Sequence, residues 1–126
     1  VHPNPNVRQI TNEILADRER VFLLEPLDYI DFTALMKEAW LITSDSGGVQ
    51  EEAPSLGKPL LVLRENTERP EAVETGVAKL LGENSLSEML YTNYNDETWI
   101  NSVKQIPNPF GDGRAAQKIV KVLANA

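Results

Sequence analysis

The amino-acid pattern alternates short apolar runs with segments whose apolar residues recur at helical spacing. Four runs are bounded by proline, glycine or polar residues and are predicted to be strands: VFLLE, WLITS, PLLVL and AKLLG, at 21–25, 40–44, 59–63 and 78–82. Strands that alternate with helices are typical of a parallel sheet with helices on both faces. The pattern therefore predicts an α/β fold with three layers.

Apolar residues three and four positions apart predict the helices. They are expected at 7–16, with Asn6 as N-cap; at 28–39; at about 49–56, ended by Gly57; from Pro70, ended by Gly76; and near the carboxyl end, where Ala116, Ile119, Val120 and Leu123 share a face. Residues 83–106 are predicted to be mostly helical with polar interruptions. We expect one domain over residues 1–126, with 108–126 as a terminal helical segment.

Composition and charge limit the classes of ligand. The 126 residues include 12 lysines and arginines against 19 aspartates and glutamates, a net charge of −7. This argues against non-specific binding to nucleic acid or to an anionic membrane. The chain has no cysteine and no apolar run of about 18 residues, so we expect a cytoplasmic protein without a membrane span. Its single histidine, His2, argues against Ser-His-Asp chemistry and against a metal site.

The stretch SDSGG follows the WLITS strand, at the sheet edge where open α/β folds bind ligands. Asp45 or Ser46 can cap the next helix, while Gly47 and Gly48 leave its first N–H groups uncovered by any Cβ, so that a phosphate can approach. Glu52 follows Gly48 by four positions, on the same helical face, where its carboxylate can accept hydrogen bonds from ribose hydroxyls. This spacing predicts a nucleotide site. The alternative is a tight strand-to-helix turn followed by solvated glutamates.

Two further side chains are candidates for the same ligand. Arg69 lies in the loop after the PLLVL strand, at the same edge of the sheet, and a guanidinium can bind a phosphate with two hydrogen bonds. The alternative is an ordinary ion pair with Glu68, Glu71 or Glu74. Phe32, early in its helix, is a candidate to stack on a base, and a core position is the competing interpretation.

Three stretches together resemble the carboxy-terminal domain of the non-hydrolysing UDP-N-acetylglucosamine 2-epimerases. They are VHPNPNVR, the long stretch from EPLDYIDF through SDSGGVQEEAPSLGKP to RPEAVETG, and NPFGDGRAAQKI, in the family's order and spacing. The resemblance covers residues 1–82 and 108–119, while 83–106 are less typical. It implies a Rossmann-like domain, one of two in a glycosyltransferase-B arrangement, and a chain that lacks the first strand and helix of that domain.

The resemblance also implies a reaction and a substrate site. The family interconverts UDP-N-acetylglucosamine and UDP-N-acetylmannosamine by elimination and re-addition of UDP, without an external cofactor. It implies contacts of Ser46, Gly47 and Gly48 with the diphosphate, of Glu52 with the ribose, of Phe32 with the uracil region, and of Arg69 with the nucleotide sugar. In some bacterial members it implies a second, regulatory UDP-N-acetylglucosamine near His2.

The family's proton-transfer carboxylates lie in its amino-terminal domain. We therefore expect this chain to be the UDP-binding carboxy-terminal part of a homodimeric epimerase, and to be inactive and prone to self-association on its own. The alternatives are a hydrolysing epimerase, a glycosyltransferase-B sugar transferase domain, and a nucleotide-sugar binding module without chemistry.

Overall fold

The computed structural model describes residues 1–82 and 85–125. The chain divides into two compact units, Val1–Leu35 and Met36–Ala126. The prediction of one domain over the chain stays a prediction. Glu83 and Asn84, with which the predicted helical region begins, lie outside the described residues, as does Ala126 at the end of the predicted terminal segment.

The first unit contains helix α1, Pro5–Leu15, and the start of α2, Tyr29–Glu38. The prediction that Asn6 caps α1 is wrong. The N-cap is Asn4, whose side chain accepts a hydrogen bond from the Asn6 N–H at 2.9 Å. Pro5 explains the earlier start, because its fixed φ suits the first helical position and its missing N–H needs no partner there.

The apolar run at 21–25 is not a strand, so that prediction is also wrong. Its side chains are largely exposed, with Phe22 82% exposed. A strand is held by hydrogen bonds to a neighbouring strand, and the described residues of the first unit contain no strand that could pair with this run. Apolar composition alone cannot supply those bonds.

The second unit is built on a parallel sheet of three strands in the order β1-β2-β3. These strands are β1, Ile42–Ser44, β2, Leu60–Val62, and β3, Ala78–Leu80, and the predictions for them are confirmed. Helix α3, Gly47–Ser55, connects β1 to β2, and α4, Pro70–Glu74, connects β2 to β3. In register, Thr43 lies beside Leu61, and Leu61 beside Lys79.

Both faces of the central strand are covered. Leu60 and Val62 pack in a core cluster that includes Met36 of α2 and Ala53 of α3. Leu61 points to the opposite face, because side chains alternate along a strand, and it is fully buried as well. A strand buried on both faces is typical of a sheet between helical layers. The predicted α/β fold is confirmed.

The carboxyl part of the second unit is helical, as predicted. Its helices are α5, Leu86–Asn95, α6, Thr98–Val103, and α7, Ala115–Ala124. Helix α5 begins with a capping box, in which Ser85 and Glu88 bond to each other's backbone N–H. Helix α7 has no buried residue. Among the described residues, no helix has the length and apolar character that a membrane crossing requires.

Candidate functional site

The amino end of α3 presents uncovered backbone N–H groups directly after β1. Ser46 occupies the N-cap position with extended backbone, but its side chain makes no capping hydrogen bond. A Cβ added to Gly47 would meet nothing within 4 Å, and one added to Gly48 would lie 3.8 Å from Ser46 Oγ. The space in front of these two residues is therefore open. Uncovered N–H groups and the helix dipole together favour an anion at this position.

Helix α3 is short, and a proline and a glycine determine where it ends. Pro54 lies near its carboxyl end and is buried; it lacks the N–H that would bond to the Gln50 carbonyl. Gly57, with φ of +64°, then ends the helix. Its N–H bonds to the Pro54 carbonyl, and the Lys58 N–H bonds to the Ala53 carbonyl.

Glu52 is half-buried one turn after Gly48. Its carboxylate is therefore on the side of α3 that leads back to the open helix end.

A chain of hydrogen bonds joins the start of α3 to the loop after β2. The Gln50 side chain donates from Nε2 to the Ser46 carbonyl at 3.3 Å. Its Oε1 accepts from the Thr67 hydroxyl, whose oxygen accepts in turn from the Arg69 N–H at 3.0 Å. Arg69 is thereby linked to Ser46 through two side chains. The prediction that the loop after β2 meets the glycine loop at one sheet edge agrees with this link.

Arg69 is an N-cap of α4 whose guanidinium forms an ion pair with Glu51 through Nε. Sequence reasoning weighed an ion pair with Glu68, Glu71 or Glu74, and the observed partner is a different glutamate. The hydrogen bond to Glu51 and then its charge raise the pKa of Arg69 above its ordinary value, so the side chain stays cationic.

The guanidinium retains donors for a ligand. Its Nη1 donates to the Glu68 carbonyl at 3.1 Å, and Nε is used by Glu51. A guanidinium has five N–H donors, and these two contacts leave the Nη2 group without a partner among the described residues. The Arg69 side chain is partly exposed. It is therefore fixed on one edge and open on another.

Phe32 and His2 belong to the first unit. Phe32 lies in the first turns of α2 and is 37% exposed. The Nδ1 atom of His2 accepts a hydrogen bond from the Asn4 N–H at 3.1 Å, which is a local turn contact. Their roles stay predictions. The structure brings together the other five candidates in the second unit: Ser46, Gly47, Gly48, Glu52 and Arg69. No group of three or more metal-binding side chains lies within residues 1–82 and 85–125.

Sequence reasoning missed three side chains of this site: Gln50, Glu51 and Thr67. The sequence pattern does not indicate whether Glu51 or Glu52 faces Arg69. A signal existed for Gln50, since it follows Val49 on the face where apolar residues pack, but a single polar residue on such a face is weak as a pattern.

The family profile described as UDP-N-acetylglucosamine 2-epimerase matches residues 1–124. The chain belongs to this family. A curated relative of that name from Yersinia pestis is 48% identical over 127 aligned positions, and one from Escherichia coli K12 is 47% identical. Each alignment covers 99% of this chain and 34% of the relative. The chain thus spans about a third of the length of the curated relatives it matches.

Solved structures of family members share the fold. A Neisseria meningitidis UDP-GlcNAc 2-epimerase bound to UDP-GlcNAc has a TM-score of 0.85 and 44% identity, and covers 100% of this chain and 35% of its own. A Staphylococcus aureus protein in a co-structure with UDP has a TM-score of 0.86 and 45% identity over 94% of this chain and 33% of its own. These likenesses confirm the predicted Rossmann-like, glycosyltransferase-B type fold and the resemblance read from the sequence.

Proposed function

We propose that this chain binds the UDP part of UDP-N-acetylglucosamine, with the diphosphate at the start of α3 and the ribose at Glu52. The observation that supports this most is the open helix end at Gly47 and Gly48, with a half-buried carboxylate one turn further in. Such an arrangement lets a chain of net charge −7 hold an anion with local dipoles. Arg69, open at Nη2, is proposed to contact the nucleotide sugar.

The proposed reaction of the whole protein is the interconversion of UDP-N-acetylglucosamine and UDP-N-acetylmannosamine through elimination of UDP. As the bond to the sugar breaks, negative charge grows on the diphosphate. We propose that the N–H groups of Gly47 and Gly48 and the Arg69 cation stabilise that charge. Removal of the C2 proton falls to groups of the amino-terminal domain that we propose completes the cleft. Phe32 is proposed at the uracil and His2 at a regulatory nucleotide sugar.

A UDP titration by calorimetry on this chain tests the ribose assignment. Glu52→Ala removes the carboxylate, and we expect binding to weaken by about 1.5–3 kcal/mol, the range for hydrogen bonds to a charged group. Glu38→Ala is the matched control, because Glu38 is an exposed glutamate at the end of α2. Equal affinities of the Glu52→Ala variant and the unsubstituted chain would refute the ribose assignment.

A chimera tests the reaction. We expect the chain alone to be inactive, since half of a cleft cannot orient the C2 proton toward an acid or base. Placed in the Escherichia coli relative in exchange for the matched segment, the chain is expected to support interconversion of the two UDP-sugars, measured by NMR. Free UDP released in step with turnover would instead identify a hydrolysing enzyme. Activity of the chain alone would contradict the proposed division of labour.

The proposed setting is cytoplasmic and homodimeric. The absence of cysteine suits a reducing compartment. Light scattering on the chimera is expected to give the mass of a dimer, and a monomeric mass for an active chimera would exclude the homodimer.

A further inference from the structure

We propose that Gln50 and Thr67 are positioning residues that hold the start of α3 and Arg69 at a fixed separation. This inference rests on the proposed function, because it concerns the same diphosphate. It adds two side chains that are not expected to touch the substrate. Their effect on binding passes through Ser46 and Arg69.

Gln50 is a buried polar side chain with both ends of its amide in use. It is 1% exposed, because it lies on the buried face of α3 beside Val49 and Ala53. An apolar residue ordinarily fills such a position, because a buried amide is costly unless it is hydrogen-bonded. Nε2 satisfies the Ser46 carbonyl and Oε1 receives the Thr67 hydroxyl. The glutamine thus joins the N-cap of α3 to a loop that the sequence places 17 residues later.

Thr67 transmits this link to the backbone of Arg69. Its hydroxyl donates to Gln50 and accepts the Arg69 N–H at 3.0 Å. Arg69 has an irregular backbone, with φ of −127° and ψ of 61°, and makes no side-chain cap of its own. The Arg69 carbonyl accepts the Ala72 N–H of α4 at 3.3 Å, and the Thr67 hydroxyl holds the Arg69 N–H. Glu51, on α3, then orients the guanidinium that this backbone carries.

The hydrogen bonds of Gln50 and Thr67, called the relay below, link the open end of α3 to Arg69, the two groups proposed to hold the diphosphate. The diphosphate binds more tightly to the helix N–H groups and Arg69 together if both are held at the right distance before it arrives. Without the Thr67 hydroxyl, the Arg69 N–H and the Gln50 Oε1 each lose a partner. The Glu51 ion pair still links the guanidinium to α3, but we expect the loop to hold the Arg69 backbone less firmly near the open end of that helix. Contacts with the nucleoside do not depend on this distance.

Thr67→Val, which keeps the shape of the side chain and removes the hydroxyl, tests the relay in this chain. The affinities for UDP and uridine are measured by calorimetry and by chemical-shift titration, and stability by urea unfolding. We expect UDP binding to weaken about tenfold, the loss of roughly one hydrogen bond, while uridine binding is unchanged. Thr67→Ser retains the hydroxyl and is expected to bind UDP within about twofold of the unsubstituted chain.

Thr75→Val is the matched control, because the Thr75 hydroxyl bonds to the Glu71 carbonyl just after α4, outside the relay. It is expected to leave both affinities unchanged. If Thr67→Val does not fold, Gln50→Met breaks the same relay, and the same selective loss of UDP binding is expected.

A lowered stability with an unchanged ratio of UDP to uridine affinity would overturn the inference and leave the proposed function intact. Absence of UDP binding by the folded, unsubstituted chain would overturn the proposed function and the inference with it.

Discussion

Replacement of Gly48 by alanine is expected to stabilise the fold slightly while it weakens UDP binding. Gly48 is the second residue of α3, and an added Cβ would lie 3.8 Å from Ser46 Oγ, an ordinary contact. Alanine is favoured over glycine inside a helix by about 0.5–1 kcal/mol. We expect the lower end, about 0.5 kcal/mol, in the first turn, which corresponds to a rise of about 1–3 °C in the melting temperature.

The same methyl group is expected to obstruct the ligand. It occupies the open space through which a phosphate would reach the N–H groups of Gly47 and Gly48. Loss of one hydrogen bond to a charged group costs about 1.5–3 kcal/mol, so the dissociation constant for UDP should rise about 10- to 100-fold. Thermal unfolding and calorimetric UDP titration of the same sample measure both effects.

Gly57→Ala is the control with the opposite signature. Gly57 has φ of +64°, where a side chain costs about 1–2 kcal/mol, so this variant should melt at a lower temperature and bind UDP as before. Unchanged UDP affinity in Gly48→Ala would refute the reasoning, because the glycine pair would then be only a tight strand-to-helix turn. A lower melting temperature in Gly48→Ala would contradict the open space described at this position.

Three further predictions concern the fold. The Ser85 hydroxyl, more than its backbone N–H, holds the pKa of Glu88 below its usual 4.5, so this carboxylate stabilises the fold above pH 4.5 and loses that effect as the pH falls through the lowered pKa. Urea midpoints between about pH 5 and 3 should therefore vary less in Ser85→Ala than in the unsubstituted chain, and an unaltered pH profile would contradict this. Leu61→Ala is expected to lower the free energy of unfolding by about 3 kcal/mol, and a loss below about 1 kcal/mol would show that the second face of the sheet is not well covered. The chain should self-associate at high concentration, and Leu123→Ser, on the exposed α7, should reduce this in light scattering; a monomer at all concentrations would exclude it.

The parallel sheet was predictable because its signals are local and strong. Leu60, Leu61 and Val62 form a continuous apolar run, which is typical of a strand buried on both faces. The turn glycines Gly57 and Gly76 both have positive φ, as helix-ending glycines require. Each of these features depends on a few neighbouring residues, and a single sequence displays them.

The errors concern interactions that neighbouring residues do not determine. The run VFLLE has the composition of a strand, but whether it becomes one depends on a partner elsewhere in the protein. The choice of Asn6 over Asn4 overlooked that Pro5 suits the first helical position.

For the candidate site, the sequence indicates where the side chains lie in the fold but not which hydrogen bonds and ion pairs they form. The spacing from Gly48 to Glu52 and the loop position of Arg69 follow from helix and sheet geometry. The partner of Arg69 depends on which of two adjacent glutamates faces the loop, and the link from Gln50 to Thr67 spans 17 residues. Such contacts form between residues that are distant in the sequence and meet only in the folded chain.

The most direct test of the central claim is a UDP titration of the ¹⁵N-labelled chain followed by NMR of its backbone amides. If the diphosphate binds at the start of α3, the amide signals of Gly47 and Gly48 should move furthest, in proportion to bound UDP. Titration of a folded chain in which these two signals stay in place, whether or not others move, would contradict the account.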